Sequence, residues 1–208
     1  MKIFVTGIST EVGKTIASAI LVEALEADYW KPVQAGDLDY SDSHKVAQLI
    51  SNTKTQIHPN SYALKTPMSP HAAAEIDGIE IDVKKIVTPK TKNRLVIEGA
   101  GGLFVPLNDT DTILDIIKSS YKVVVVSRHY LGSINHSLLT INALGIRRRH
   151  IGIIFSGDEH PTTEDIILKK TGIRMLGRIE EENGFNKATV SRYASSFKRN
   201  LEDFLMDD

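Results

Sequence analysis

The 208-residue sequence predicts an α/β fold, in which helices flank both faces of a mostly parallel β-sheet. Short, continuously apolar runs alternate with segments of helical periodicity, and such runs are typical of strands buried on both faces. The strands are predicted at residues 3–6, 29–33, 95–98, 122–127 and 151–155. The helices are predicted at residues 15–27, 43–51, 111–119, 133–144, 162–171 and 190–205. Residues 58–70 are predicted to be a loop, and residues 1–208 a single domain.

The composition excludes several classes of protein and site. Lys and Arg total 25 and Asp and Glu 26, and this balance argues against a dedicated nucleic-acid binder. The basic run at 147–150 is interpreted as a helix end in solvent. The absence of cysteine excludes disulfides, zinc–thiolate sites, iron–sulfur clusters and a cysteine nucleophile. Since neither a signal peptide nor an apolar run of about 20 residues is present, we expect a cytoplasmic protein that does not span a membrane.

The strongest motif is Gly-Ile-Ser-Thr-Glu-Val-Gly-Lys-Thr at residues 7–15, between the first predicted strand and the first predicted helix. Backbone N–H groups of such a loop surround phosphate oxygens, and Gly13 allows close approach. Lys14 is expected to reach the outer phosphates, and the Thr15 hydroxyl to bind Mg²⁺. Five residues separate the two glycines instead of the usual four, so the loop is a wider variant. The predicted fold is therefore P-loop NTPase-like, with ATP and Mg²⁺ as its cofactors.

Three further charged residues lie where strands end or a helix begins. Lys31 follows the second predicted strand, Asp42 precedes a helix, and Glu98 ends a strand before four small residues. With Thr15, the two carboxylates would form an oxygen-only magnesium site. Simpler interpretations remain open: a solvated lysine, a helix cap at Asp42 and a plain strand end at Glu98.

Taken together, these motifs resemble those of the dethiobiotin synthetase family. The resemblance runs from residue 3 to about residue 155. Its matching segments are residues 6–15, 31–33, 41–42, 69–71, 98–102 and 131–136. It implies an enzyme of biotin biosynthesis, an ATP-dependent cyclo-ligase that converts 7,8-diaminononanoate and CO₂ to dethiobiotin, ADP and phosphate. The implied intermediates are a carbamate and a carbamic–phosphoric anhydride.

The resemblance also implies roles for individual residues. The catalytic residues would be Thr10, Glu11, Lys14 and Lys31. The nucleotide would be bound by Glu11, Val12, Gly13, Lys14, Thr15 and Ser156. Mg²⁺ would be bound by Thr15, Asp42 and Glu98. The small-molecule substrate would be bound by Lys31, Ala35, Gly101, Leu131 and Asn135, and the segment at 131–135 would come from the other subunit of a homodimer.

Three positions depart from the family pattern. Ala35 lacks the hydroxyl that is common there, Ser156 replaces an asparagine that reads the base, and Glu180 replaces a proline. A relaxed nucleobase preference is therefore a hypothesis. Two alternative functions also stay open: a switch ATPase of the partitioning or septum-positioning type, and another small-molecule P-loop ligase or kinase. The switch ATPases carry a lysine early in the loop, where Ser9 stands here.

Overall fold

The computed structural model describes residues 1–145 and 150–206. The strands in these ranges are β1 (Lys2–Gly7), β2 (Asp28–Trp30), β3 (Val33–Ala35), β4 (Ile57–His58), β5 (Tyr62–Leu64), β6 (Leu95–Gly102), β7 (Lys122–Arg128), β8 (Ile151–Ser156) and β9 (Arg174–Ile179). The helices are α1 (Lys14–Leu25), α2 (Asp42–Leu49), α3 (Pro70–Asp77), α4 (Ser133–Gly145), α5 (Pro161–Thr171) and α6 (Lys187–Met206). Of the basic run at 147–150, residues 147–149 lie outside the described ranges.

Seven of the strands form one parallel sheet in the order β4-β2-β6-β1-β7-β8-β9. The central strand β1 is apolar and buried, because it is paired on both edges and covered on both faces. Helices α1, α2 and α6 pack together, while α4 packs against α5 beside β7 and β8. The predicted α/β fold is confirmed. Since parallel strands end at the same edge, the ends of β1, β2, β6, β7 and β8 meet there.

The helix predicted at residues 111–119 is wrong. The segment forms only a short 3₁₀ turn at Ile113–Ile116. The Ile113 N–H donates to the Val105 carbonyl and the Leu114 N–H to the Leu103 carbonyl. The apolar side chains therefore reach the core from a loop that is hydrogen-bonded to the preceding segment, and helical periodicity alone was misleading.

The strand predicted at 29–33 is divided in two. Strand β2 ends at Trp30, and Pro32 cannot donate to a sheet, so the chain leaves the main sheet there. Strand β3 then pairs with β5 in a separate two-stranded sheet. The loop predicted at 58–70 thus contains a strand, and α3 and β9 were not predicted from the sequence. Within the described residues, no helix has both the length and the apolar character that a membrane span requires.

Candidate active site

The phosphate loop connects β1 to α1 at the carboxyl edge of the sheet. Glu11 and Gly13 have positive φ angles of 57° and 90°, so the backbone turns sharply before the helix begins. A Cβ on Gly13 would lie 3.0 Å from Ser156 Oγ, so another residue would be both strained and crowded. Lys14 is buried, and its Nζ donates to the Ser9 carbonyl at 3.1 Å, which holds the ammonium over the loop.

Glu98 lies at the centre of the site, on β6, and is only 1% exposed. Its Oε1 accepts hydrogen bonds from Thr15 Oγ1 at 3.0 Å and from Lys31 Nζ at 3.2 Å. Its Oε2 accepts from the Tyr29 hydroxyl at 2.9 Å. Lys31 Nζ also pairs with Asp42 Oδ2. Four residues singled out from the sequence, Thr15, Lys31, Asp42 and Glu98, therefore form one cluster, and Lys31 and Glu98 are not the solvated lysine and plain strand end of the simpler interpretations.

Asp42 is the first residue of α2, and its side chain does not serve as the helix cap. The preceding residue, Ser41, occupies the cap position, and its backbone N–H donates to His44 Nδ1 at 3.1 Å. Asp42 is instead held between two lysines, with Lys31 on one oxygen and Lys45 Nζ 3.3 Å from the other. The helix therefore has a cap, but Ser41 forms it and not Asp42.

Burial and charge shift the ionisation of the site. Burial lowers the pKa of Lys14 to about 8, and the neighbouring Lys31 charge acts in the same direction. Burial also acts to lower the pKa of Lys31, but the Glu98 and Asp42 carboxylates outweigh it and raise that pKa above its ordinary value. Burial acts to raise the pKa of Asp42, but the charges and hydrogen bonds of Lys31 and Lys45 together outweigh it and lower that pKa. Lys31 is thus firmly charged, whereas Lys14 titrates near pH 8.

Tyr29 was missed by the sequence analysis. It is a fully buried member of β2, and burial together with the Glu98 charge raises the pKa of its phenol. The available signal was a tyrosine in an otherwise apolar predicted strand, since a buried hydroxyl needs a hydrogen-bond partner. Its hydrogen bond fixes the Glu98 carboxylate from the side opposite Thr15 and Lys31.

The oxygen atoms of Thr15, Asp42 and Glu98 suit Mg²⁺. They offer two carboxylates and one hydroxyl, and Mg²⁺ commonly uses one or two carboxylates together with substrate phosphates and water. Among the residues that the structure describes, no group of three or more His, Asp or Glu side chains could hold a metal by itself. Such a site would therefore depend on the phosphates of a nucleotide to complete the coordination.

Two hollows flank the phosphate loop. On the side of β8 and β9, a cleft, named here the base cleft, is lined by Glu11, Gly13, Ile16, Arg128, Ser156, Gly157, Ile179, Glu180, Glu181 and Phe185. On the other side, an apolar mouth is lined by Ile8, Ser9, Thr10, Gly102, Leu103, Phe104, Val105, Pro106, His136, Leu139 and Thr140. The loop can therefore present a phosphate chain between two differently lined spaces.

The remaining candidate residues are distributed around these hollows. Ser156 lines the base cleft. Thr10 and Gly101 are neighbours, because a Cβ on Gly101 would lie 3.5 Å from Thr10 Oγ1. Ala35 is half-buried on β3. Leu131 and Asn135 are exposed at the beginning of α4, outside the buried cluster of the same chain.

The sequence and the structure were compared with known proteins. A family model described as an AAA domain matches residues 1–189. The ATP-dependent dethiobiotin synthetase of Christiangramia forsetii is 60% identical over 95% of this chain and 96% of its own length. That of Cytophaga hutchinsonii is 50% identical over 93% of this chain and 95% of its own length.

Two solved structures are similar in fold. A ParA family ATPase from Chlorobium tepidum TLS has a TM-score of 0.53, with 12% identity over 99% of this chain and 92% of its own. A putative plasmid partition protein from Borrelia burgdorferi B31, bound to AMPPNP, has a TM-score of 0.57, with 15% identity over 98% of each chain. At these identities the likeness concerns the fold alone.

Proposed function

The chain belongs to the family of ATP-dependent dethiobiotin synthetases, and from this premise we propose how its clustered residues carry out the reaction. It is an ATP-dependent ligase of biotin biosynthesis that converts 7,8-diaminononanoate, CO₂ and ATP to dethiobiotin, ADP and phosphate. The observation that carries the residue assignments is the convergence of Lys14, Thr15, Lys31, Asp42 and Glu98 at the end of the phosphate loop.

Phosphoryl transfer depends on position and charge neutralisation more than on covalent catalysis. One substrate amine adds to CO₂, and a carbamate oxygen then attacks the γ-phosphorus while the bond to ADP breaks. Lys14 and Lys31 are assigned to the negative charge on the γ-phosphoryl group and the carbamate. Thr10 and Glu11 line the same loop. The second amine attacks the carbamoyl carbon, phosphate leaves, and the amine protons pass to solvent as the cyclic urea closes.

We assign Thr15, Asp42 and Glu98 to Mg²⁺. The bound ion would neutralise charge on the β- and γ-phosphate oxygens. The protein holds these ligands ready through Tyr29, which fixes Glu98, and through Lys45, which fixes the second oxygen of Asp42. Backbone N–H groups of residues 11–15, with Ser156 beside Gly13, are assigned to the nucleotide.

We propose that the enzyme is a homodimer in which each active site uses the start of α4 from the other subunit. Four exposed apolar side chains support this interface: Phe104 and Leu139, which line the apolar mouth, and Leu131 and Ile134, which lie at the start of α4. Leu131 is fully exposed in one chain, so a partner subunit that covers it would remove apolar surface from water. The segment at 131–135 would bind the distant carboxylate of the substrate, and Ala35 and Gly101 would contact its chain. A cytoplasmic location stays a prediction.

The test is ADP release with Mg-ATP and 7,8-diaminononanoate, with and without bicarbonate or CO₂. We expect release to require both the diamine and the carbon source, with a cyclic urea detected by mass spectrometry. Release that is independent of both would instead favour a switch ATPase. Sedimentation without nucleotide separates these alternatives further, because the synthetase is expected to be dimeric without ATP, whereas a switch ATPase dimerises in response to it.

A further inference from the structure

The base cleft combines apolar and charged lining residues. Ile16, Ile179 and Phe185 are its apolar residues, and Glu180, Glu181 and Arg128 are among its charged ones. Such a combination suits a planar ring that packs against apolar side chains while its edge is read by a few polar groups. The rest of this inference relies on the proposed function in one respect, the identification of this cleft as the nucleotide's base site.

Ser156 is poorly placed to read the edge of a base. Its Oγ would lie 3.0 Å from a Cβ on Gly13, so the hydroxyl packs directly against the phosphate loop. The next residue, Gly157, contributes no side chain and has a φ of 103°, a conformation that other residues rarely adopt. Just beyond the end of β8, Gly157 thus offers no side chain to read a base.

Glu181 approaches Gly157 from the segment after β9. Its Oε1 would lie 3.9 Å from a Cβ on Gly157, and it is 3.4 Å from the nearest Arg128 guanidinium nitrogen. Arg128 also donates to the Glu11 carbonyl at 3.5 Å, so it links the carboxylate to the phosphate loop. The Glu181 carboxylate and the Arg128 guanidinium therefore connect the phosphate loop, the end of β7 and the segment after β9.

We propose that Glu181 is the base-reading residue of this enzyme, that it accepts a hydrogen bond from the exocyclic amino group of the base, and that Arg128 positions it. An ionised carboxylate can only accept hydrogen bonds. Adenine presents an amino donor at C6, whereas hypoxanthine presents a carbonyl acceptor at the same position, which the carboxylate repels. The enzyme should therefore select ATP over ITP, although the two bases have nearly the same shape.

The experiment is equilibrium binding of Mg-ATP and Mg-ITP by titration calorimetry. Wild-type enzyme is expected to bind ATP about tenfold more tightly than ITP, a factor suited to one hydrogen bond at an exposed rim. In Glu181→Gln the amide can accept from adenine or donate to hypoxanthine, so the ratio should fall to about two or less. Arg128→Gln should lower the ratio to an intermediate value, and that ratio is a readout that a merely structural role would not change.

Glu182→Gln is the matched control. The Glu182 carboxylate is engaged by Arg192 and by the Tyr193 hydroxyl, at 2.7 Å from the latter, and so faces α6. This variant should retain the wild-type ratio. Because the Glu181 side chain is 60% exposed, its substitution is not expected to disturb folding, and far-UV circular dichroism checks this.

An unchanged ATP to ITP ratio in Glu181→Gln, or a wild-type ratio near one, would overturn the proposal. Dethiobiotin formation by the wild-type enzyme with ATP is measured in parallel. If dethiobiotin forms but the ratio does not respond, base reading by Glu181 is wrong and the proposed function stands. If the ratio responds but no dethiobiotin forms, base reading stands and the acceptor chemistry is wrong.

Discussion

Two carboxylate clusters lie at opposite ends of the short strand β2, and they use buried charge differently. At the beginning of the strand, Asp28 accepts hydrogen bonds from the Thr91 hydroxyl, the Gln56 N–H and the Asn93 amide, and it contacts His58 Nε2 at 3.2 Å. Just beyond the other end, Lys31 joins Asp42 and Glu98. The first cluster is built mostly from neutral donors, and the second from lysine ammonium groups and the hydroxyls of Thr15 and Tyr29.

The difference supports the assignment of the ligand site to the Glu98 cluster. Neutral donors with fixed geometry satisfy a carboxylate permanently, so the Asp28 cluster ties β2, β4 and the loop before β6 together. Ammonium groups can be exchanged for another cation or can turn towards a phosphate, so the Glu98 cluster is suited to a charged substrate. The carboxyl edge of a parallel sheet is also where ligands of such folds bind.

The largest effect is expected from Lys14→Ala, which removes one of the two cations that we assign to the transferred phosphoryl group. Turnover should fall between about a hundredfold and a thousandfold, because the developing charge loses a preorganised partner. Lys54→Ala is the control, since Lys54 forms an exposed ion pair with Glu26 on the far side of the chain. Near-normal turnover in Lys14→Ala would show that the phosphate loop has been misassigned.

Glu98→Gln tests whether the cluster at the carboxyl edge depends on its charge. The Mg²⁺ concentration for half-maximal activity should rise at least about tenfold, because a neutral amide binds the ion and orients Thr15 less well. The measurement is dethiobiotin formation over a magnesium series, with the exposed Glu26→Gln as control. A magnesium dependence equal to that of the wild type would reduce Glu98 to a structural residue.

Asp28→Asn should change the stability of the fold and not the catalytic activity, in contrast to Glu98→Gln. An amide nitrogen would face the Thr91 hydroxyl and His58, so the free energy of unfolding should drop by about 2 kcal/mol, with kcat of the folded enzyme unchanged. Hydrogen bonds from Thr91, Gln56, His58 and Asn93 outweigh burial and lower the pKa of Asp28. The stability from Asp28 is therefore present above the ordinary pKa of aspartate and lost as pH falls through the lowered native value.

Urea unfolding at several pH values measures both the lowered free energy of unfolding of Asp28→Asn and its dependence on pH. The wild type should lose more stability than the variant on the acid side. A variant that unfolds normally but turns over slowly would contradict the division between the two clusters.

The smallest effect concerns the pH dependence of nucleotide binding. The pKa of Lys14 is lowered to about 8, so its ammonium loses its proton as pH rises through that value. Bound phosphate favours the charged form, so affinity for ATP should weaken above pH 8 by up to about tenfold per pH unit. Lys31, whose pKa is raised, stays charged in this range. Calorimetry between pH 7 and 9.5 tests this, and affinity that is constant across that range would contradict the ionisation assigned to Lys14.

Much of the candidate site could be proposed from sequence because its signals are local. The loop at residues 7–15 has its chemistry in consecutive residues, and Glu98 is marked by the apolar strand before it and the glycines after it. Tyr29 and the Asp28 cluster were missed because their partners lie tens of residues away in the chain. The same limitation explains the helix wrongly predicted at 111–119, where hydrogen bonds to residues 103 and 105 overrode the local periodicity.

The fold class, the phosphate loop and the residue types available for magnesium and phosphate were predictable from sequence, because periodicity and motif spacing are properties of short segments. Which of these residues meet depends on how the whole chain packs. Lys31, Asp42 and Glu98 come together because β2 lies beside β6 in the sheet, an order set by the packing of distant segments. The same order separates the cluster of Asp28 from that of Glu98 by the length of one strand, so that one carboxylate supports the fold and the other faces the phosphate loop.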